Sequence, residues 1–187
     1  MEQTKPVLRN LVRERLAALS AEEIAAKSAR ICEKISASEF WRKAKIVCLF
    51  AAKPTEPDLA ALWNLREGKT ICYPRVNGTE LDLISVKNPT ALQTSRWQLR
   101  EPLHDETKIV APVQLDVIFV PGLAFSLGGL RLGRGGGFYD RLLARSELRA
   151  KKIGVCFEEQ IFPDLPSEPH DRAVDAVITE NSKSLSS

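Results

Sequence analysis

Nowhere in its 187 residues does the chain run apolar for anything near the roughly 20 positions that a membrane-spanning helix needs. It also lacks the charged, apolar and small-residue succession of a secretory signal. Its first helical segment is rich in arginine, but Glu2, Glu14, Glu22 and Glu23 argue against a transit peptide. Cysteine is sparse: Cys32, Cys48, Cys72 and Cys156 are far apart and set among apolar neighbours, without the close pairing of a zinc site. They read as buried free thiols, which places the protein in a reducing cytoplasm. With only two histidines, no Ser-His-Asp or Cys-His arrangement stands out for nucleophilic catalysis. Nor is one sign of charge in large excess: 27 basic against 24 acidic residues leave a formal net charge of +3, spread along the chain. That balance points away from a dedicated nucleic-acid surface. Internal repeats are absent, and the one low-complexity tract is a polar tail at residues 181–187.

What is present is a globular composition, 44% hydrophobic and 27% charged, long enough to bury a core without disulfide or metal staples. Leu8, Leu11, Val12, Leu16 and Leu19 recur at helical spacing behind Pro6, which suits a first helical turn. Lys5, Arg9, Arg13 and Arg15 fill the other positions, and on residue type alone that face reads as solvated. Ser20 and Glu23 form a capping box before a second helix marked by Ile24, Ser28, Ile31 and Ile35, so a helical hairpin is predicted to open the protein. Residues 46–51 form an apolar run suited to a parallel strand covered on both faces. A helix from Pro57 to about Glu67, ended by Gly68, and a strand over residues 70–73 complete a β-α-β unit. Asn77-Gly78 marks a hairpin within residues 75–85.

Residues 86–114, broken by Pro89, Pro102 and Pro112, read as a long, partly ordered connection in which the stretch from Trp97 to Pro102 is a candidate for substrate contacts. Strands are predicted again over residues 115–120, 152–157 and 173–179, with a helix over 138–148. This alternation implies a three-layer α/β domain: a mainly parallel sheet flanked by helices on both faces, with ligands collecting at the carboxyl ends of the strands. The whole chain, 1–187, is expected to form that single domain.

Seven of the ten glycines lie in residues 117–145, where a short apolar run leads into a glycine-rich loop and then a helix. The loop fits neither standard nucleotide fingerprint. Gly133 is followed by Arg134, which excludes a Walker A ending, and Phe138 stands where the dinucleotide pattern needs a third glycine. Its physics remains that of an anion site: consecutive glycines admit backbone N–H groups, a helix N-terminus adds its dipole, and Arg131 and Arg134 can add charge-assisted forks to phosphate oxygens. A structural turn stays open as the alternative. Asp140, in the first helical turn, reads equally as a favourable N-terminal carboxylate or a magnesium ligand, and Asp171 could complete a metal site if its loop folds over the glycine loop. His170 is balanced between surface or capping residue and catalytic base.

The run Val120-Pro-Gly-Leu-Ala-Phe125 followed by Gly129-Leu-Arg-Leu-Gly-Arg-Gly-Gly-Gly-Phe-Tyr-Asp140-Arg resembles the signature of the 5-formyltetrahydrofolate cyclo-ligase family. Similarity extends over nearly the whole chain, through Lys5 and Leu8-Arg9, the loop around Glu56, Gly68 to Pro74, Glu101-Pro102, Gln160-Ile, Leu165-Pro166 and His170-Asp171. The resemblance implies the α/β fold of ribose-5-phosphate isomerase and glucosamine-6-phosphate deaminase, and a monomer acting on a folate with ATP and Mg2+, without nucleic-acid or membrane partners. Carried onto matching positions, it implies that Lys5, Arg9, Arg131, Leu132, Gly133, Arg134, Gly135, Gly136, Gly137, Phe138 and Tyr139 hold ATP. By the same likeness Ala51, Glu56, Arg134, Gly135, Gly136, Gly137 and Phe138 contact the folate, Asp140 and Asp171 bind the metal, and Arg134 and Tyr139 are the candidate catalytic residues. The basic face at Lys5 and Arg9 is thereby reassigned from solvent to ligand. Ser126 stands where the family commonly has Asp, and Phe138 where it has the first of two tyrosines.

The implied reaction is phosphorylation of the formyl oxygen by ATP, attack of N10 on the activated carbon, and departure of phosphate to leave the methenyl bridge. Position and charge are the protein's share of such chemistry. Two rivals stay open: a phosphosugar isomerase or deaminase of similar fold, and a nucleotide-binding module without turnover.

Overall fold

The computed structural model describes residues 4–95 and 99–183; Trp97 and the end of the polar tail lie outside them. Helix α1, Lys5–Ala17, begins with Pro6 in its first turn and buries Leu8, Val12 and Leu16. Helix α2, Ala21–Ala37, starts at the capping box: Ser20 Oγ accepts from the Glu23 N–H, and the Ser20 N–H donates to the Glu23 carboxylate. A short helix α3, Glu39–Lys43, leads into strand β1, Ile46–Cys48. Strands β2, Thr70–Asn77, and β3, Glu80–Val86, form the hairpin around Asn77-Gly78, and the two-residue strands β4, Gln93–Thr94, and β5, Arg100–Glu101, pair antiparallel. Strand β6, Val117–Pro121, is followed by the small ribbon β7, Ala124–Phe125, with β8, Arg131–Leu132. Helix α4, Phe138–Leu143, and strands β9, Lys151–Val155, and β10, Ala176–Ile178, complete the order.

Six of these strands make one sheet in the order β10-β9-β6-β1-β2-β3, parallel throughout except for the antiparallel edge strand β3. Side chains alternate between two apolar layers. Val47, Ile71, Val117, Phe119 and Ile153 face a cluster containing Leu8, Val12, Ile31 and Ile35 of α1 and α2. Cys48, Cys72, Ile118 and Val120 face the opposite cluster with Leu142 and Leu143 of α4. Helices therefore cover both faces, as the apolar strand runs predict. The four cysteines are buried free thiols; burial pushes Cys32 up to about 12, and Cys48, hydrogen-bonded to Cys72, lies well above an ordinary thiol.

Several boundaries differ from the sequence reading, each for a local reason. Strand β1 stops at Cys48 because, after the Leu49 N–H donates to the Cys72 carbonyl, the chain leaves the sheet toward a cavity. The helix predicted from Pro57 to Glu67 is a 3-10 helix, Ala60–Leu65; Leu59, which precedes it, and Leu62, three residues on, are both buried as a three-residue turn allows. Helix α4 ends at Leu143, five residues early, as the Arg145 N–H turns to the Leu142 carbonyl. Strand β10 starts late because the Val174 N–H donates instead to the Gly129 carbonyl.

Candidate active site

The chain leaves β1 toward β2 on one side of the sheet and returns to β6 on the other, so β1 and β6 form the point where strand order reverses. In open α/β sheets ligands bind at the carboxyl ends of strands at such a point. A cavity of about 320 Å³ lies there, lined by Phe50 and Ala51 beyond β1, Pro74 and Val76 of β2, Pro121 and Gly122 at the end of β6, and Gly133, Arg134, Gly136 and Gly137 of the glycine loop. Fully buried Gln160 braces the exit of β6, donating from Nε2 to the Gly122 and Leu123 carbonyls at 2.9 and 3.1 Å.

Ion pairs shape the walls. Arg134 donates from Nε (3.0 Å) and Nη2 (2.7 Å) to Glu56 Oε1, while Glu56 Oε2 accepts from the Lys53 N–H at 3.0 Å. Arg131 donates from Nη2 to Asp140 Oδ1 at 2.7 Å, and that oxygen also accepts from the Arg172 N–H at 3.3 Å. The Arg131 side chain is only 3% exposed and its Nε has no hydrogen-bond partner among the described residues. It thus orients Asp140 instead of presenting a free fork to phosphate, as its sequence position suggested. The Arg134 side chain is 34% exposed, and its Nη1 has no hydrogen-bond partner among the described residues.

Gly137 caps α4 with φ of +66°, and an added Cβ would meet Arg141 Nη1 at 2.7 Å. The positive φ is what favours glycine here, since Arg141 meets that Cβ with the far end of a flexible side chain and can move aside. Arg141 braces the same bend, donating to the Gly136 and Thr79 carbonyls and lying 5.0 Å over the Phe138 ring. With six residues, α4 supplies a weaker dipole than the predicted eleven-residue helix. Tyr139 lies beneath the loop with the Arg131 guanidinium 5.7 Å from its ring centre. Burial, reinforced by the neighbouring Cys48 and Glu56, raises its phenol well above the ordinary value against the pull of Arg131. The hydroxyl is therefore a neutral hydrogen-bond donor at physiological pH, not a base.

Lys5 and Arg9 of α1 reach this region from the other side. Arg9 Nε donates to the Gly133 carbonyl at 3.0 Å, and Lys5 Nζ donates to Asp171 Oδ2 at 2.7 Å with Glu168 at 3.1 Å. Burial disfavours the Lys5 charge, but Asp171 and Glu168 outweigh it and raise its pKa; burial likewise opposes the Asp171 charge, and Lys5 with the Glu168 N–H outweighs it, lowering the pKa. Neither Lys5, Arg9, Leu132, Gly135 nor Asp171 lines the cavity, whereas Ala51, Glu56, Arg131, Gly133, Arg134, Gly136, Gly137, Phe138, Tyr139 and Asp140 do. Leu132 is packed into the core, leaving only its backbone to meet a ligand. Exposed His170 lies outside the cavity, beside Glu168 at 3.2 Å.

Asp140 and Asp171 are linked through Arg172, and each has one oxygen held by a cation while the other has no hydrogen-bond partner among the described residues. Among the described residues, the ligand atoms grouped with that of Asp171 within 4.8 Å of one another are those of Glu168 and His170, with Asp140 outside that group; a carboxylate oxygen left unpaired is the kind of donor that magnesium takes. Ser126, in place of the family's usual Asp, closes the β7–β8 turn by accepting from the Leu130 N–H at 3.1 Å, a task either side chain can perform. Of the stretch from Trp97 to Pro102 that the sequence singles out for substrate contacts, Leu99, Arg100 and Glu101 line the cavity, while Trp97 lies outside the described residues; Lys53, also in the wall, was passed over.

A mostly parallel sheet with a cavity at its switch point, walled by a glycine loop and by arginine–carboxylate pairs, is the ligand cleft of an α/β protein. The sequence match is narrower. Residues 1–180 match the sequence model of the 5-formyltetrahydrofolate cyclo-ligase family, and the chain belongs to that family. It is 31% identical to the 5-formyltetrahydrofolate cyclo-ligase of Mus musculus, over 94% of this chain and 93% of the mouse protein. The solution structure of 5,10-methenyltetrahydrofolate synthetase from Aquifex aeolicus superposes with a TM-score of 0.84 at 35% identity, covering 95% of this chain and 90% of that one. A synthetase from Mycoplasma pneumoniae, 23% identical, shares the fold with a TM-score of 0.78 over 97% of this chain and all of its own. Among the described residues no helix is long and apolar enough to cross a membrane.

Proposed function

We propose that this chain converts 5-formyltetrahydrofolate to 5,10-methenyltetrahydrofolate with ATP and Mg2+, releasing ADP and phosphate. The observation that carries the reading is the convergence of the Gly133–Gly137 loop, the Arg134–Glu56 pair and Tyr139 on one cavity at the β1/β6 switch point. Family membership supplies the substrate class.

Residues 1–187, ending in the polar tail, act as one catalytic domain of the architecture that resembles ribose-5-phosphate isomerase, working as a cytoplasmic monomer. Lys5, Arg9 and the backbone from Arg131 to Tyr139 cradle the triphosphate. Ala51 and Glu56 face the folate, and Arg134 stands between the two ligands. Asp140 and Asp171 would hold magnesium, which would supply charge neutralisation for phosphoryl transfer. Arg134 presents its Nη1, unpartnered among the described residues, to the transferred phosphoryl while Glu56 keeps the guanidinium plane aligned, and the neutral Tyr139 hydroxyl donates to an oxygen at the reacting centre. As the formyl oxygen takes the phosphoryl group, ADP leaves; N10 then forms its bond to the formyl carbon, the carbon–oxygen bond breaks, phosphate departs and N10 gives up its proton. No covalent bond to the protein is needed, in keeping with four buried thiols and a hydroxyl held neutral.

Incubating the protein with ATP, Mg2+ and 5-formyltetrahydrofolate is expected to give the near-ultraviolet absorbance of methenyltetrahydrofolate together with stoichiometric ADP. Product no faster than in a protein-free control overturns the reading.

A further inference from the structure

Three carboxylates line the cavity: Glu56, Glu101 and Asp140. Two are neutralised, Glu56 by Arg134 and Asp140 by Arg131. Glu101 is different. It is 7% exposed, and among the described residues no cationic side chain forms an ion pair with it. Its Oε1 accepts one long hydrogen bond, 3.3 Å, from the Val76 N–H, and its Oε2 has no hydrogen-bond partner among the described residues. With no counter-ion among the described residues, and with Oε2 unpartnered yet not sealed from solvent, this carboxylate offers a free acceptor at the cavity to a ligand that brings donors. The same cavity wall carries Pro74, Val76, Leu81 and Leu99, whose side chains cannot donate, together with Lys53, Arg100 and Arg134, none of which forms an ion pair with Glu101.

We infer that Glu101 recognises the 2-amino and N3–H edge of the reduced pterin ring, and so selects the folate over other flat ligands. The inference rests on the folate reading above. A carboxylate presents two acceptors side by side, and the 2-amino-4-oxopyrimidine edge presents two donors at matching spacing, which gives a charge-assisted pair at the cavity wall. Adenine offers a donor at its 6-amino group beside an acceptor at N1, so the same carboxylate pairs with it poorly. Glu101 thereby also keeps the nucleotide base out of the folate slot. The segment is positioned for this by strand β5, Arg100–Glu101, which pairs with β4 and is tied to β2 through the Val76 N–H.

The test is equilibrium binding without ATP, using 5-formyltetrahydrofolate and its analogue with the 2-amino group replaced by methyl. Wild type is expected to bind the analogue about ten- to a hundred-fold more weakly, the range for losing a hydrogen bond to a charged group. Glu101→Gln retains an acceptor for the Val76 N–H but loses the charge; Glu101→Ala removes both. Both variants are expected to weaken the natural folate by a similar factor, to bind folate and analogue within about two-fold of each other, and to leave the ATP dissociation constant unchanged. Thermal melts identify any variant that fails to fold, and Glu101→Gln serves if Glu101→Ala does. Variants that still discriminate against the analogue as strongly as wild type overturn the role of Glu101 while wild-type turnover leaves the cyclo-ligase reading standing. Wild type that neither binds nor converts 5-formyltetrahydrofolate overturns both.

Discussion

Arg134 and Glu56, 78 positions apart in sequence, share one oxygen: both Nε and Nη2 of the arginine donate to Glu56 Oε1, at 3.0 and 2.7 Å. This pair clamps the glycine loop over the loop that follows β1. Removing the arginine leaves a carboxylate that is 6% exposed without its cation, so Arg134→Ala is expected to destabilise by about 1–3 kcal/mol. The double variant Glu56→Gln/Arg134→Ala is expected to recover part of that loss, since no buried charge is then left unpaired. Chemical denaturation of both variants checks this. Titration with ATP is expected to show about ten-fold weaker binding for Arg134→Ala, and an unchanged titration removes Arg134 from the nucleotide site.

Tyr139 leads to a different expectation. Because burial holds its phenol well above the ordinary value, its ionisation falls outside the range in which the enzyme is assayed. Tyr139→Phe is therefore expected to lower kcat about ten-fold, by loss of one donated hydrogen bond, without changing the shape of the pH–rate profile between neutrality and the mildly alkaline range. Disappearance of an alkaline limb in the variant would show that the tyrosine titrates during turnover, against this account.

Much of this was legible in the sequence because the signals were local. The capping box at Ser20 and Glu23, the Asn77-Gly78 turn and the apolar strand runs each fix structure within a few residues. The six-stranded sheet follows from their alternation. Element lengths were less legible, since they are set by partners distant in sequence: β10 begins late because Val174 bonds Gly129, and residues 60–65 wind tightly because Leu59 and Leu62 meet the core together. The site divides in the same way. A glycine-rich loop with two arginines announces an anion, but nothing in the sequence says that Arg131 is spent on Asp140 while Arg134 meets Glu56. Nor does an acidic residue in a proline-broken stretch announce that Glu101 is buried against a cavity. Charge type is visible in sequence; the counter-ion is not.

Gly129 offers a test of the tie between the glycine loop and the last strand. Its φ is +91°, and a Cβ there would lie 2.3 Å from the Val174 carbonyl oxygen. Backbone and not a flexible side chain is in the way, so relief requires shifting the chain before β10. Gly129→Ala is expected to cost about 2–4 kcal/mol, combining strained backbone with the clash. Gly78→Ala, at φ of +59° with nothing within 4 Å, carries the conformational strain alone and is expected to cost about 1 kcal/mol. Denaturation midpoints measure the difference; equal losses at the two positions would mean that the Val174 contact yields freely.

The Lys5–Asp171 pair joins the first helix to the last loop, and its pH dependence has a defined sign. In the folded chain the pKa of Asp171 is lowered and that of Lys5 raised, each by the other's charge outweighing burial. A lowered carboxyl pKa contributes stability that is present above the ordinary aspartate value and is lost as pH falls through the lowered one. A raised lysine pKa contributes stability that is present below the ordinary lysine value and is lost as pH rises through the raised one. The pair therefore stabilises across the whole interval between those two ordinary values. With both side chains partly exposed, at 14% and 16%, the contribution is about 1 kcal/mol. Lys5→Met is accordingly expected to lower Tm by about 2–4 °C at neutral pH, and the gap to wild type is expected to close in acid as Asp171 protonates. A gap that persists unchanged below the aspartate range would assign the loss to packing. At neutral pH, freeing Asp171 from Lys5 leaves the carboxylate for the metal, whereas Asp171→Asn removes it. If Asp171 is a ligand, Asp171→Asn raises the magnesium concentration needed for half-maximal activity by about ten-fold or more, and Lys5→Met does not raise it; an unaltered magnesium titration for Asp171→Asn assigns that aspartate to loop structure alone.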